Sequence, residues 1–319
     1  METKQNGGGL SPYVGLMIGI LAASSASIFI RFAQLEAPSL VIAAYRLALA
    51  TIILAPLALT RRRHELKSLD RRQVGLMVLS GFFLGCHFAT WISSLKYTSV
   101  PSSAVLVKTS PLWVALLSPI FLKERLRKIV GVGLVIALAG SIIVGGSEAC
   151  QISASGLNCE SISQAIGGKS MLGNALAFAG AWFAAFYLII GRKVRSGLSL
   201  LTYTFVVYGT AAVTLVIMVA VSGESLVGYS PTTSLFFLAL AIIPQLIGHS
   251  SFNWALKFLP AALVSIVLLG EPISSSILAF FILKEPPTVL EGLGGILILF
   301  GIYLATAYQE KNKKLSLPD

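Results

Sequence analysis

The sequence predicts an all-α membrane protein of ten transmembrane helices, arranged as two inverted five-helix repeats with the N- and C-termini cytoplasmic. Three observations carry that expectation: apolar runs long enough to cross a bilayer, a one-sided distribution of basic residues between them, and an internal repeat at an offset of 161 residues.

Of 319 residues, 55% are hydrophobic and only 12% charged, about half the charged share usual in a soluble domain. The mean hydropathy is +0.84. No water-soluble globule of this length could hide so much apolar surface. The apolar residues fall into ten runs, at 13–31, 39–59, 74–95, 102–122, 129–147, 171–190, 200–222, 233–255, 261–283 and 292–308. Each is near the roughly 20 residues that carry a helix across about 30 Å of hydrocarbon. The first run is longer than a signal-peptide apolar region and shows no small-residue cleavage site, so it reads as a span.

The charges between the runs fix the orientation. With the N-terminus inside, the cytoplasmic segments hold Lys4, six basic residues of "RRRHELKSLDRR" (61–72), four of "KERLRK" (123–128), Arg192, Lys193, Arg195, Lys257, Lys311, Lys313 and Lys314. The opposite side has Arg31, Lys96, Lys169 and Lys284. Eighteen against four is the positive-inside bias. It accounts for the net charge of +11 as a topology signal and removes the argument for nucleic-acid binding.

Shifting the chain by 161 residues superposes Leu95, Lys96, Pro111, Leu122, Lys123, Glu124, Gly131, Gly133 and Gly140 on Leu256, Lys257, Pro272, Leu283, Lys284, Glu285, Gly292, Gly294 and Gly301 without a gap. The repeats are 13–147 and 171–308, joined by an extracytoplasmic loop at 148–170. Each contains five spans, an odd number, so the second must enter the membrane inverted. Inverted repeats are the architecture of secondary transporters, with a solute site near the midplane.

Each repeat also has a span ending in "LKE": "SPLWVALLSPIFLKE" (110–124) and "EPISSSILAFFILKE" (271–285). With "HFATWISSLKYTSVPSSAVLVKTSPLWVAL" (87–116) and "GHSSFNWALKFLPAALVSIVLLGEP" (248–272), the chain resembles the EamA family of the drug/metabolite transporter superfamily from about residue 13 to 308. The resemblance implies a central cavity built by spans 1, 3, 4, 6, 8 and 9, and transport of small metabolites, often outward. It implies no particular substrate.

Ionisable groups deep in a span cost about 2.5–3.5 kcal/mol each and normally face a cavity or a partner. Glu271 lies about ten residues into the ninth run, beside Pro272. Proline has no N–H, so the carbonyl of Leu268 is expected to lose its helical donor. Pro111 is expected to do the same for Val107 in the fourth run, one turn after Lys108. Lys108 and Glu271 could line the cavity and bind a polar or zwitterionic solute, lock one conformation as a charge pair, or not meet.

In the eighth run Gln245, His249 and Asn253 are spaced i, i+4, i+8, a polar stripe on an α-helix. In the third, His87 and Trp91 share a face. These five and Trp113 complete the expected cavity lining. Either histidine could carry a coupling proton or make only an interhelical hydrogen bond. Arg46 reads as structural, snorkelling outward or capping a neighbour. The motifs "GLMIG" (15–19) and "GFFLG" (81–85) predict close helix contacts. Cys86 reads as packing, while Cys150 and Cys159 share the outer loop as either a disulfide clip or two free thiols.

Nothing in the sequence calls for a cofactor or a metal. "GGKS" (167–170) resembles the end of a phosphate-binding loop, but the required first glycine is Ser163. With no nucleotide site and no HExxH or GxSxG motif, an enzyme is not expected. The expected protein is a multi-pass carrier of the inner (plasma) membrane. Its partners are a small-molecule solute, lipid and, as one option, protons; it exports amino acids or related metabolites by alternating access.

Overall fold

A chain crossing hydrocarbon must satisfy its backbone internally, and the apolar runs are helical almost throughout. A computed structural model describes residues 11–94, 96–97, 103, 106–124, 127–146, 150–153, 156–159, 169–283 and 289–315. The first half comprises α1 (Pro12–Ser24), α2 (Ala26–Ala33), α3 (Ser39–Arg61), the short α4 (Arg63–Lys67), α5 (Arg71–Ser94), α6 (Ser110–Phe121) and α7 (Lys128–Gly146). The second comprises α8 (Lys169–Arg195), α9 (Leu200–Ser222), α10 (Pro231–Leu240), a π-helical stretch Ala241–His249, α11 (Ser250–Ala255), α12 (Ala261–Val267), a 3₁₀ turn Leu268–Gly270, α13 (Glu271–Leu283) and α14 (Val289–Leu315).

Among the described residues, seven helical stretches are long and apolar enough to cross a membrane: Pro12–Ala33, Ser39–Arg61, Arg71–Ser94, Met171–Arg195, Leu200–Ser222, Pro231–Ala255 and Ala261–Ile282. Three shorter apolar helices, Ser110–Phe121, Lys128–Ile143 and Gly292–Ala305, occupy the other expected positions. One expectation needs correction. The fourth run is not one helix, because Lys108 and Thr109 form a turn before α6. In the outer loop, β1 (Cys150–Ser153) pairs antiparallel with β2 (Gly156–Cys159), setting Cys150 opposite Cys159. Residues 148–149, 154–155 and 160–168 of that loop, including the "GGKS" glycines, lie outside the described residues.

The helices pack chiefly across the two halves. Helix α7 lies along α14, α5 along α8 and α9, α3 along α9, and α1 along the π-helical stretch and α11. Exchanging the halves turns this pattern into itself. The α7–α14 crossing shows the relation at atomic scale. A Cβ built on Gly140 would stand 2.5 Å from the Gly294 carbonyl oxygen, and one on Gly133 would stand 2.6 Å from that of Gly301. One residue number rises as the other falls, so the helices are antiparallel. Backbones this close leave no room for any side chain. The glycines of "GLMIG" and "GFFLG" serve similarly, Gly19 against Phe252 and Gly81 against the Val207 carbonyl.

Two carboxylates fasten loops of the first half to helix starts in the second. At one end, Glu65 accepts from the Ser199 amide (2.7 Å), the Ser199 hydroxyl (2.6 Å) and the Thr202 hydroxyl (2.8 Å), at the N-terminus of α9. At the other, Glu36 accepts from the Ser230 amide (3.0 Å), the Ser230 hydroxyl (2.7 Å) and the Thr233 hydroxyl, at the N-terminus of α10. Each acid supplies negative charge where a helix exposes unpaired N–H groups. Burial pushes the Glu65 carboxyl up, but the hydrogen bonds from Ser199 and Thr202 and the nearby Arg62 outweigh it and hold the group below its ordinary value of 4.5.

A depressed carboxylate stabilises fully above its unfolded value, and that contribution is lost as pH falls through its folded value. Glu65→Gln should therefore destabilise detergent-solubilised protein at neutral pH by on the order of 1 kcal/mol, as for a lost helix cap, read as a lower unfolding temperature. The gap from wild type should close in strong acid; a gap constant with pH would show that the charge is irrelevant. Gly140→Leu should separate α7 from α14 and prevent recovery of folded protein, whereas substitution at Gly197, which has open space around it, should be tolerated.

Candidate functional site

Both interrupted spans break at positions related by the repeat. In the second half, α12 gives way to the 3₁₀ turn 268–270, and α13 restarts with Glu271 as its first residue and Pro272 as its second. In the first, the turn at Lys108–Thr109 is followed by α6, starting with Ser110 and Pro111. Proline suits the first turn of a helix, where its missing N–H is not needed. The expectation of a mid-helix kink is thereby corrected to a helix restart. The expected open carbonyl at Leu268 is corrected as well: the tightened turn lets it accept the Glu271 N–H.

The restart positions Glu271 opposite Lys108. The lysine Nζ lies 2.8 Å from Glu271 Oε2, and each side chain is 22% exposed. The pair is anchored to the first span, where the Ser24 hydroxyl donates to the Glu271 carbonyl (3.1 Å) and the Ser275 hydroxyl to the Ser24 carbonyl (3.2 Å). Beside the pair is a cavity of about 100 Å³ lined by Arg46, His87, Phe88, Trp91, Ser110, Pro111, Tyr187, His249, Phe252 and Ser265, with Lys108 and Glu271 themselves. That is smaller than the roughly 300–1,000 Å³ of drug-sized sites. The space suits a small solute.

The polar stripe Gln245, His249 and Asn253 divides its work. Pro244 lies within the π-helical stretch, and π-helical backbone recurs at functional positions; the expectation of a plain α-helix there is corrected. His249 lines the cavity, between Phe88 (ring centroids 5.4 Å apart) and Phe252 (5.6 Å). Gln245 is fully buried, and its Oε1 accepts from Arg46 Nε at 2.8 Å. Asn253, also fully buried, accepts from the Tyr187 hydroxyl (2.7 Å) and donates to that of Tyr208 (3.2 Å). Gln245 and Asn253 thus hold wall residues in position and do not line the cavity.

Of the remaining expected residues, His87 and Trp91 both line the cavity, their rings near parallel at 6.0 Å. His87 Nδ1 lies 2.9 Å from the Gly180 carbonyl oxygen. That contact places a proton on Nδ1. Trp113 is turned elsewhere, stacked on Trp182 at 4.4 Å and edge-on to Phe178 at 5.3 Å. Its indole N–H donates to the Thr109 hydroxyl (3.3 Å), which braces the turn carrying Lys108.

Sequence reasoning missed Arg46 as a wall residue. It neither snorkels nor caps a helix: it is 2% exposed, lines the cavity, and has its guanidinium carbon 4.5 Å from the Phe88 ring centroid. A cation–π contact of this kind is worth about 2 kcal/mol when desolvated. The signal available was its position two turns inside α3, with a buried hydrogen-bond acceptor needed somewhere. Tyr187, Phe88 and Phe252 carried no sequence signal beyond being aromatic in a span.

Comparison with known proteins agrees with this architecture. The model of the EamA-like transporter family matches residues 10–146 and 171–307, one copy per half. A protein of Archaeoglobus fulgidus named as an uncharacterized transporter is 25% identical over 298 residues, 93% of this chain and 97% of its own length. The uncharacterized transporter YyaM of Bacillus subtilis is 25% identical over 267 residues, 83% of each chain. A crystal structure superposes with a TM-score of 0.73 at 18% identity, over 94% of this chain and 100% of the other, a likeness of fold.

Removing one member of a buried ion pair strands the other, at about 3–5 kcal/mol, whereas replacing both by apolar residues is often neutral. Lys108→Met and Glu271→Leu should each destabilise the protein, by less than that range given their partial exposure. The double variant should recover most of the loss. Additive losses in thermal unfolding would show that the two side chains do not act as a pair.

Proposed function

This chain belongs to the EamA-like transporter family, within the drug/metabolite transporter superfamily, and from that premise we propose that it carries a small polar metabolite through the cavity beside Lys108 and Glu271. The observation that carries the reading is the junction itself. Two helix restarts related by the repeat bring one lysine and the single acid found in any apolar run to 2.8 Å beside a cavity. Family membership makes the protein a multi-pass membrane transporter and not an enzyme.

The finer proposals are alternating access, ten spans as two inverted repeats, both termini in the cytoplasm, residence in the plasma membrane and outward transport of amino acids or related compounds. The antiparallel contact of the equivalent helices α7 and α14 supports inversion, and the eighteen-to-four charge bias supports the orientation. The register that sets Cys150 opposite Cys159 supports a disulfide clip in the outer loop. Lys108 and Glu271 bind the solute's polar ends, and His87, Trp91 and His249 wall it. Proton antiport through Glu271 or the histidines is a sub-reading that rests on their presence in one cavity.

The direct Lys108–Glu271 contact also favours a second reading, in which the pair locks one conformation and the solute binds elsewhere. Sealed vesicles separate the readings. Under the first, radiolabelled solute accumulates unchanged, and Lys108→Ala or Glu271→Gln raises the dissociation constant severalfold. Under the second, affinity stays at wild type while the rate changes. For the proton sub-reading, an imposed pH gradient should drive uptake in wild type and not in Glu271→Gln; rates indifferent to both would dismiss it.

A further inference from the structure

The ionised groups around the cavity do not balance. Arg46 and Lys108 are basic, Glu271 is the single acid within the apolar runs, and His87 and His249 count as neutral imidazoles. Glu271 is engaged with Lys108 at 2.8 Å. Arg46 is left with an amide oxygen on its Nε and a ring face below its guanidinium. Among the described residues no carboxylate lies within ion-pair distance of it, its side-chain hydrogen bond is made through Nε, and Glu271 acts on it electrostatically from beyond that distance. The arginine is 2% exposed and lines the cavity.

A neighbouring group shows the same deficit of acceptors. Gln245 accepts from Arg46 through Oε1, which fixes its amide nitrogen as a donor. That nitrogen is buried with no acceptor among the described residues, and His249 Nδ1 is likewise buried with no partner, donor or acceptor according to its tautomer. Buried donors are normally satisfied, and each exception asks for an explanation. A buried guanidinium whose counter-charge, Glu271, is already in contact with Lys108 is costlier still. One group meets these needs: an oxoanion, which guanidinium donors grip through two parallel hydrogen bonds.

We propose that Arg46 is the anion anchor of the cavity and that the solute carries a net charge of −1, with a carboxylate seated on the Arg46 guanidinium. The inference deepens the carrier reading of this cavity and rests on it. The Lys108–Glu271 pair, which contacts the solute's other polar groups, keeps its own charges balanced, while the one anionic group cancels the one unbalanced cation. A simple monocarboxylate and an acidic amino acid both carry that charge. A neutral zwitterion does not, and would leave the site one charge short. Arg46 is then a specificity residue whose sign selects the cargo.

The test uses purified full-length protein and four small probes of different net charge: propionate and aspartate (−1), alanine (0) and propylamine (+1). Thermal unfolding in detergent reads binding, and uptake of radiolabelled probe into vesicles reads transport. Propionate or aspartate should raise the unfolding temperature, and whichever does identifies the source of the carboxylate. Arg46→Gln should weaken that response about tenfold to a hundredfold, the loss of a charged hydrogen-bond partner. Arg46→Lys, which keeps the charge, should retain part of it and controls for a misfolded Arg46→Gln. Alanine or propylamine binding as well as the anions, no probe binding, or wild-type anion binding in a folded Arg46→Gln would each overturn the proposal. Vesicle uptake of alanine or propylamine alone would keep the carrier and discard the anion site. Arg46-dependent binding of an anion without any uptake would do the reverse.

Discussion

Inside hydrocarbon a backbone group that leaves its helix has no water to turn to, and the form of this molecule follows from how it meets that constraint at two places. Each interrupted span restarts as a new helix on a proline, and the freed polar groups are taken up locally. The Leu268 carbonyl receives the Glu271 amide, and the Glu271 carbonyl receives the Ser24 hydroxyl. These local bonds fix the two breaks, which hold a lysine and a glutamate in contact across 163 residues of chain.

Around that contact the structure separates holding from lining. Gln245, Asn253 and Trp113 have their polar atoms engaged with Arg46, with Tyr187 and Tyr208, and with Thr109. Each fixes a residue or turn that reaches the cavity. His87, Trp91, His249 and the Lys108–Glu271 pair border the cavity itself. Polar residues in a span are therefore not interchangeable evidence of a binding surface.

How far the sequence could be read follows from this division. The spans and the halves were legible because runs of about 20 apolar residues and a 161-residue offset are properties of order alone. Glu271 and Lys108 were legible as candidate cavity residues because a charge in hydrocarbon is costly wherever it lies. The role of Arg46 was not, since depth along a helix does not tell whether a long side chain turns outward or inward. The π-helical stretch at 241–249 was hidden because its cause is a rearranged hydrogen-bond ladder around Pro244. The hairpin at 150–159 was hidden because a polar loop gives no periodic signal. Trp113 misled because aromatic residues in a span pack more often than they bind.

The pairing of helices across the halves has a consequence for how the chain is made. Arg46 and Lys108 enter the membrane with the first half, but their partners Gln245 and Glu271 lie 199 and 163 residues further on. At about 5–20 residues per second of synthesis, the buried Arg46 and the half-buried Lys108 wait on the order of ten seconds or longer for these partners. During that interval the first half exposes the faces that α8, α9 and α14 will cover. The nascent protein is thus a half-assembled bundle whose polar side chains must be sheltered by lipid headgroups or the insertion machinery. An error in the late-made segment 261–283 would strand Lys108, and one in 233–255 would strand Arg46.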